Sequence, residues 1–223
     1  MPPERRSLPP VMCLTLDGAG LAHALQAERL CAAGARWIQL RMKGASRGAW
    51  LAEAAGAAAA CRRHGALFVV NDSVEIALES GADGAHLGAG DGDWREARRR
   101  LGAGRILGGT VGTLAAARRA VEAGCLDYAG VGPLRFTATK RDLSPVLGPG
   151  GLRAILGALG GIPAWVIGGV VPEDLPGLRK AGAAGAAVSS GLHPGGRLEE
   201  NLRAYLDAWG PPAEALSPAA SHP

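Results

Sequence analysis

Short runs of apolar residues recur along the chain, bounded by polar or glycine-rich stretches. Between them the apolar positions switch to the spacing of a helix face. The runs are VMCLTL (11–16), RWIQLR (36–41), LFVVND (67–72), GAHLG (84–88), RILGGTV (105–111), YAGVGPL (128–134), AWVIGGV (164–170) and AAVSSGL (186–192), and each reads as a strand. The intervals hold LAHALQAERLCAAG, WLAEAAGAAAACRRHG, SVEIALESG, DWREARRRLG and LAAARRAVEAG, which read as helices. Several of these end in Gly, which adopts the left-handed backbone after a last turn without strain. Strands that are apolar almost throughout, alternating with helices, predict a parallel sheet covered on its outside. Eight such units in 223 residues predict an α/β fold, a single-domain (β/α)8 TIM barrel over 10–209. An open doubly wound sheet is the alternative. Its dinucleotide form would want G-x-G-x-x-G after the first strand, and Gly18-Ala-Gly20-Leu-Ala-His23 has no third Gly.

Composition narrows the classes. With 48% apolar residues the chain can bury a sizeable core. The net charge is +4, the arginines are scattered, and 4% of residues are aromatic, which argues against a nucleic-acid groove built from a basic stripe and stacking platforms. No apolar run approaches the length of a membrane span. The opening MPPERRSLPP has no apolar signal core, so the protein reads as cytoplasmic. The four cysteines, Cys13, Cys31, Cys61 and Cys125, show no metal spacing and read as small buried hydrophobes in a reducing compartment. Residues 1–9 read as a flexible tail, and the Pro- and Ala-rich 210–223 as a disordered one.

In a TIM barrel the chemistry stands at the C-terminal ends of the strands. Gln39-x-Arg41-x-Lys43 ends the second, with three polar side chains on one face of an extended segment. Asn71-Asp72 ends the third, and His86-Leu-Gly-Ala-Gly leads from the fourth to Asp91. Asp72 has a structural reading as a helix cap, since Asp72-Ser-Val-Glu75 resembles a capping box, and Asp91 could cap DWREARRRLG. Taken together they are two carboxylates at adjacent strand ends beside Arg41 and Lys43, and carboxylates next to substrate phosphates are how Mg²⁺ is held. Gly109-Thr110 ends the fifth strand. Gly168-Gly169 and Ser189-Ser190-Gly191 end the seventh and eighth, where such barrels bind phosphate through backbone N–H groups.

The sixth strand opens into GPLRFTATKRDLSPVLGPGG, a long irregular stretch carrying Thr137, Ala138, Thr139 and Lys140. Only Lys43, Lys140 and Lys180 are lysines in this Arg-rich chain. Arg41, Lys43, Lys140 and a Mg²⁺ would supply about +5 and the two Asp about −2, and the remaining charge of about +3 suits a diphosphate of roughly −3. The neutral amides at strands seven and eight suit a second, separate phosphate. Two anionic substrates, one a diphosphate, point to displacement of pyrophosphate.

QLRMK, VVND, HLGAGD, GGTVGT, GPLRFTATK, VIGGV and AVSSG resemble, in order and spacing, the thiamine-phosphate synthase family, over roughly residues 11–208. The resemblance implies joining of 4-amino-2-methyl-5-hydroxymethylpyrimidine diphosphate to 4-methyl-5-(2-phosphoethyl)thiazole with release of pyrophosphate, aided by Mg²⁺ as cofactor. It implies a substrate-binding segment Gln39, Leu40, Arg41, Met42 and Lys43, with Gln39 at the pyrimidine. Arg41, Lys43, Asn71 and Lys140 would hold the diphosphate, with Arg41, Lys43 and Lys140 as the catalytic cations. Asp72 and Asp91 would bind the metal. Thr110 stands where a serine is commoner, near the pyrimidine. Thr137, Ala138 and Thr139 would lie between the substrates, and Gly169, Ser189 and Ser190 at the thiazole phosphate. Many relatives carry Ile or Val at Ser189, a departure that a backbone contact tolerates.

Three other functions compete with this reading. A related thiazole tautomerase carries a His after strand five where this chain has Gly112, and it lacks much of the metal and diphosphate set that is present here. A catalytically silent thiazole-phosphate binder would show affinity without Mg²⁺-dependent turnover. Another phosphate-binding barrel enzyme would want an acid–base pair, and His86 instead reads as a packing or hydrogen-bonding residue. The sequence leaves open whether copies associate as a homo-oligomer, and it calls for no nucleic-acid or membrane partner.

Overall fold

The computed structural model describes residues 7–88, 90–136 and 146–210. Strands β1 (Val11–Leu14), β2 (Trp37–Leu40), β3 (Leu67–Asn71), β4 (Gly84–Leu87), β5 (Ile106–Val111), β6 (Tyr128–Val131), β7 (Ala164–Ile167) and β8 (Gly185–Val188) alternate with helices. These are α1 (His23–Ala32), α2 (Arg47–Arg63), α3 (Val74–Ser80), α4 (Trp94–Leu101), α5 (Leu114–Ala123), α6 (Gly148–Ala158), α7 (Leu175–Lys180) and α8 (Leu198–Trp209). Every neighbouring strand pair is parallel, and β8 returns to β1 through Val11↔Ala186 and Met12↔Ala187, closing the TIM barrel that the apolar runs predict. The open doubly wound sheet is thereby set aside.

Strand alternation sorts the core into two shells. Along β2, Trp37 faces the barrel axis with Met12, Tyr128 and Trp165, while Ile38 and Leu40 face the helices. The inner shell is unusually aromatic. Trp37 meets Tyr128 edge-on at 4.8 Å and Trp165 at 5.0 Å between ring centroids. Two strand glycines make room for these rings. A Cβ on Gly108 would lie 2.2 Å from Tyr128, and one on Gly185 would lie 2.1 Å from Trp165. The chain before β1 seals this end, with Trp165 donating to the Pro9 carbonyl at 3.1 Å.

Helix ends settle the two capping alternatives. Ser73, and not Asp72, caps α3 by accepting from the Ile76 N–H at 3.2 Å. Asp93, and not Asp91, caps α4 by accepting from the Glu96 N–H at 2.9 Å. Each sequence stretch offers two suitable cap residues, and the chain uses the one nearer the helix. Both Asp72 and Asp91 are thereby free of capping. The expected left-handed glycines after α3 and α5 are Gly81 and Gly124, with φ of 71° and 63°. Of the cysteines, Cys13, Cys31 and Cys61 are buried and Cys125 is half-buried, all four as free thiols. Among the described residues, no helix is long and apolar enough to cross a membrane.

Candidate active site

The strand ends of β2, β3 and β4 bring Lys43, Asp72 and Asp91 together. Asp72 has a left-handed φ of 66°, uncommon for a residue with a side chain, and its N–H donates to the His86 carbonyl at 2.8 Å. That backbone aims the carboxylate into the barrel mouth, where the Lys43 ammonium donates to Asp72 Oδ2. Asp91 is held by the Gly88 N–H, which donates to its Oδ2 at 2.7 Å. The two carboxyl groups are within hydrogen-bonding reach of one another. Partial burial first, and the Asp72 carboxylate second, hold the Asp91 carboxyl above its ordinary range.

This cradle suits a hard divalent cation. Gly88 lies between the carboxylates: a Cβ there would sit 2.6 Å from Asp91 Oδ2 and 3.9 Å from Asp72 Oδ1, so only glycine leaves the space open. Two oxygen donors of like charge, one resisting ionisation, are relieved by a cation. No group of three or more His, Cys, Asp or Glu able to hold a metal occurs among the described residues, and a cation on Asp72 and Asp91 would complete its shell with water and phosphate oxygens.

A polar chain crosses the barrel just below. Gln39 is 3% exposed, with its amide Nε2 3.1 Å from Met12 Sδ and a side-chain hydrogen bond to Tyr128. The Tyr128 hydroxyl lies 3.0 Å from His86 Nδ1, and His86 Nε2 lies 3.0 Å from Thr110 Oγ1. Burial pushes the Tyr128 hydroxyl well above its usual range, so it stays neutral. His86 thus has the bonding role expected of it, and it couples Gln39 to Thr110 through Tyr128. Tyr128 escaped notice in the sequence because it reads as one more apolar strand residue.

Asn71 is 8% exposed at the end of β3. Leu40 is fully buried against the helices and Met42 packs on the same outer core, so each offers a ligand in the mouth its backbone, not its side chain. Thr110 and Gly88 also border a cleft of about 260 Å³ with Trp94 and Arg119.

Across the mouth the ends of β7 and β8 carry no charged group of their own. Gly168 and Gly169 have φ of 93° and 67°, and a Cβ on Gly168 would strike Pro133 at 2.6 Å. Arg135, which sequence reading passed over, anchors this loop by donating to the Gly169 carbonyl at 3.0 Å and to both Asp174 oxygens at 2.5 and 2.6 Å. Tyr205 of α8 donates to the Val170 carbonyl at 2.9 Å and lies against Gly191, tying the β7 loop to the β8 loop. Ser189 is half-buried and Ser190 exposed, at the start of a short 3-10 turn, Ser190–Leu192. Thr137, Ala138, Thr139 and Lys140 lie outside the described residues, as do residues 1–6 and 211–223 of the two expected tails.

A family described as thiamine monophosphate synthase matches residues 11–192 of the chain. A relative named thiamine-phosphate synthase, from Phocaeicola vulgatus, is 43% identical over 160 residues, 70% of this chain and 76% of that protein. A thiamine biosynthesis bifunctional protein ThiM/ThiE from Symbiobacterium thermophilum is 41% identical over 92% of this chain and 43% of its own length. The solved thiamine phosphate pyrophosphorylase from Pyrococcus furiosus superposes with a TM-score of 0.81 at 27% identity, over 96% of this chain and 99% of that one.

Proposed function

The chain belongs to the thiamine monophosphate synthase family, and from that membership we propose how its barrel mouth does the work. Its activity is thiamine-phosphate synthesis, a transferase reaction on small molecules. The substrates on this reading are 4-amino-2-methyl-5-hydroxymethylpyrimidine diphosphate and 4-methyl-5-(2-phosphoethyl)thiazole. The observation that carries it is the asymmetry of the mouth. Lys43, Asp72 and Asp91 meet on one side, and neutral glycine and serine loops face them on the other.

Gln39, held by Met12 and Tyr128, orients the aminopyrimidine, with Thr110 beside it. Arg41, Lys43 and Asn71 hold the diphosphate. Mg²⁺ on Asp72 and Asp91 would neutralise charge on the departing pyrophosphate. The bond between the exocyclic carbon and the diphosphate oxygen breaks, and pyrophosphate leaves with the electron pair. The electron-rich ring stabilises the carbon cation, and the thiazole nitrogen closes the new C–N bond. Cationic side chains already in place lower the cost of charge separation. Gly169, Ser189 and Ser190 take the thiazole phosphate on backbone N–H groups. By the motif, Thr137, Ala138 and Thr139 would lie between the substrates and Lys140 would join the diphosphate ligands, in a stretch that would close over the diphosphate and keep water from the cation. We place the reaction in the reducing cytoplasm, in keeping with four free thiols. A tautomerase reading is disfavoured by Gly112 at the position of the tautomerase histidine.

The test is pyrophosphate release with both substrates, with each alone, and with excess EDTA. The expected result is release that needs both substrates and the metal, one thiamine phosphate formed per pyrophosphate. Folded protein that releases none contradicts the proposal.

A further inference from the structure

The ladder between β1 and β2 ends at Leu14↔Gln39, with the Thr15 N–H donating to the Gln39 carbonyl at 3.0 Å. Beyond it two N–H groups of the second strand's extension are taken by side chains. The Arg41 N–H donates to Thr15 Oγ1 at 3.1 Å, and the Lys43 N–H donates to Asp17 Oδ2 at 3.2 Å. The two acceptors, Thr15 and Asp17, keep the period of a strand past the last ladder pair, and the chain then turns away at Gly18 and Gly20, both with φ of 74°. His23, the first residue of α1, ties them together. Its Nδ1 lies 2.8 Å from Thr15 Oγ1 and its Nε2 lies 3.1 Å from Asp17 Oδ1.

The donors and acceptors close in one direction. The Asp17 carboxylate can only accept, so His23 Nε2–H donates to it; in that neutral tautomer Nδ1 accepts from the Thr15 hydroxyl, whose oxygen still takes the Arg41 N–H. Thr15 is fully buried and His23 is 7% exposed, so neither has water as an easy substitute. The loop is itself fixed. Fully buried Gln26 accepts from the Leu16 N–H at 2.9 Å and donates to the Leu16 and Leu21 carbonyls, both at 2.9 Å. Downstream, Ser46 caps α2, so the segment from Arg41 is held at both ends.

We propose that Thr15, His23 and Asp17 are positioning residues that keep the Arg41–Lys43 backbone extended, so that both cationic side chains face the diphosphate while Met42 packs outward. The inference rests on the reading of Arg41 and Lys43 as diphosphate ligands. The Gly18-Ala-Gly20 stretch, which makes no dinucleotide fingerprint, has its place here as the turn that lets side chains replace the ladder.

The test uses Thr15→Val, which removes the hydroxyl at nearly constant volume, Thr15→Ser as the conservative rescue, and Asp17→Asn as a change outside the core. Calorimetric binding of inorganic pyrophosphate with Mg²⁺ is measured beside kcat and KM for each substrate and the Tm. Thr15→Val and Asp17→Asn are expected to weaken pyrophosphate binding and raise the KM for the pyrimidine diphosphate by about tenfold, the scale of one well-placed hydrogen bond. The KM for the thiazole phosphate should stay within about twofold, and Thr15→Ser should restore the wild-type values. Folded Thr15→Val with unchanged pyrophosphate affinity overturns the proposal. So does an equal rise in both KM values with a fallen Tm, which would mark a purely structural role. Wild-type protein that binds pyrophosphate but makes no thiamine phosphate would count against the proposed function alone, because the binding arm reads the clamp without turnover.

Discussion

Asp91 stands beside a second carboxylate, partly removed from water, and that arrangement is costly until a cation joins it. The sign follows from linkage. A carboxyl whose pKa is raised by folding binds its proton more tightly folded than unfolded, so the fold loses stability as pH climbs from the ordinary carboxylate range through the raised value. Asp91→Asn removes that cost and leaves the Lys43–Asp72 pair in place. In metal-free buffer at neutral pH the variant is expected to melt higher than wild type, and the gap should close as the pH falls below the ordinary carboxylate range. Adding Mg²⁺ should raise the wild-type Tm and leave the variant's where it was. A variant that melts lower at every pH would contradict this account of the site. Lys43→Ala removes the partner of Asp72 and a diphosphate ligand together, and we expect kcat/KM for the pyrimidine diphosphate to fall by about a hundredfold. These residues were legible because Gln39, Arg41 and Lys43 share one face at period two, and because two acids stand at neighbouring strand ends. The choice between capping and metal binding was not legible: Ser73 and Asp93 are equally good caps close by, and a left-handed φ at Asp72 leaves no mark in the sequence.

Among the elements, apolar runs mark the strands but overstate their length at the far ends. The run 128–134 is laddered only as Tyr128–Val131, and 186–192 overlaps a ladder of Gly185–Val188. In the latter, Ser189 turns to φ −123° and ψ −89°, out of the strand. The loop anchors were out of reach because their partners are distant in sequence, as with Arg135 and Asp174, or Tyr205 and Val170. Arg135→Ala frees the Gly169 carbonyl and Asp174, and should raise the KM for the thiazole phosphate about fivefold with kcat for bound substrates little changed. Steady-state kinetics with each substrate varied in turn checks it. The close approach of α1 and α2 gives a second prediction. A Cβ on Gly56 would lie 2.7 Å from Ala24 Cβ, while Glu53 holds the Ala24 N–H at 2.7 Å. Helix propensity favours Gly56→Ala by about 1 kcal/mol, but forcing a methyl between two rigid backbones costs about 1–3 kcal/mol. We expect a Tm lower by a few degrees in a thermal melt, and a raised Tm would show that the helices part freely.

Over the whole molecule, the barrel divides its labour between its ends. The lower end is packed with Trp37, Tyr128 and Trp165 and closed by the chain before β1. The upper end carries charge on the β2–β4 side and bare backbone on the β7–β8 side, the division on which the proposed placing of the diphosphate and the monophosphate rests. The order of the motifs along the chain gave this division away, since each lies at the C-terminal end of its own strand. What the order could not show is the support beneath it: Gln39 to Thr110 through Tyr128 and His86, and the Thr15–His23–Asp17 clamp, are each built from residues on separate elements.

The proposed chemistry turns on Asp72 and Asp91 holding the metal that meets the leaving pyrophosphate. The direct measurement is pyrophosphate release against Mg²⁺ concentration for wild type, Asp72→Asn and Asp91→Asn, with both substrates saturating. Each variant is expected to fold, to keep its KM for the thiazole phosphate, and to lose about a hundredfold or more in Mg²⁺-dependent rate, as the removal of Lewis-acid stabilisation requires. Variants that release pyrophosphate at the wild-type rate, with the same dependence on Mg²⁺, would contradict it.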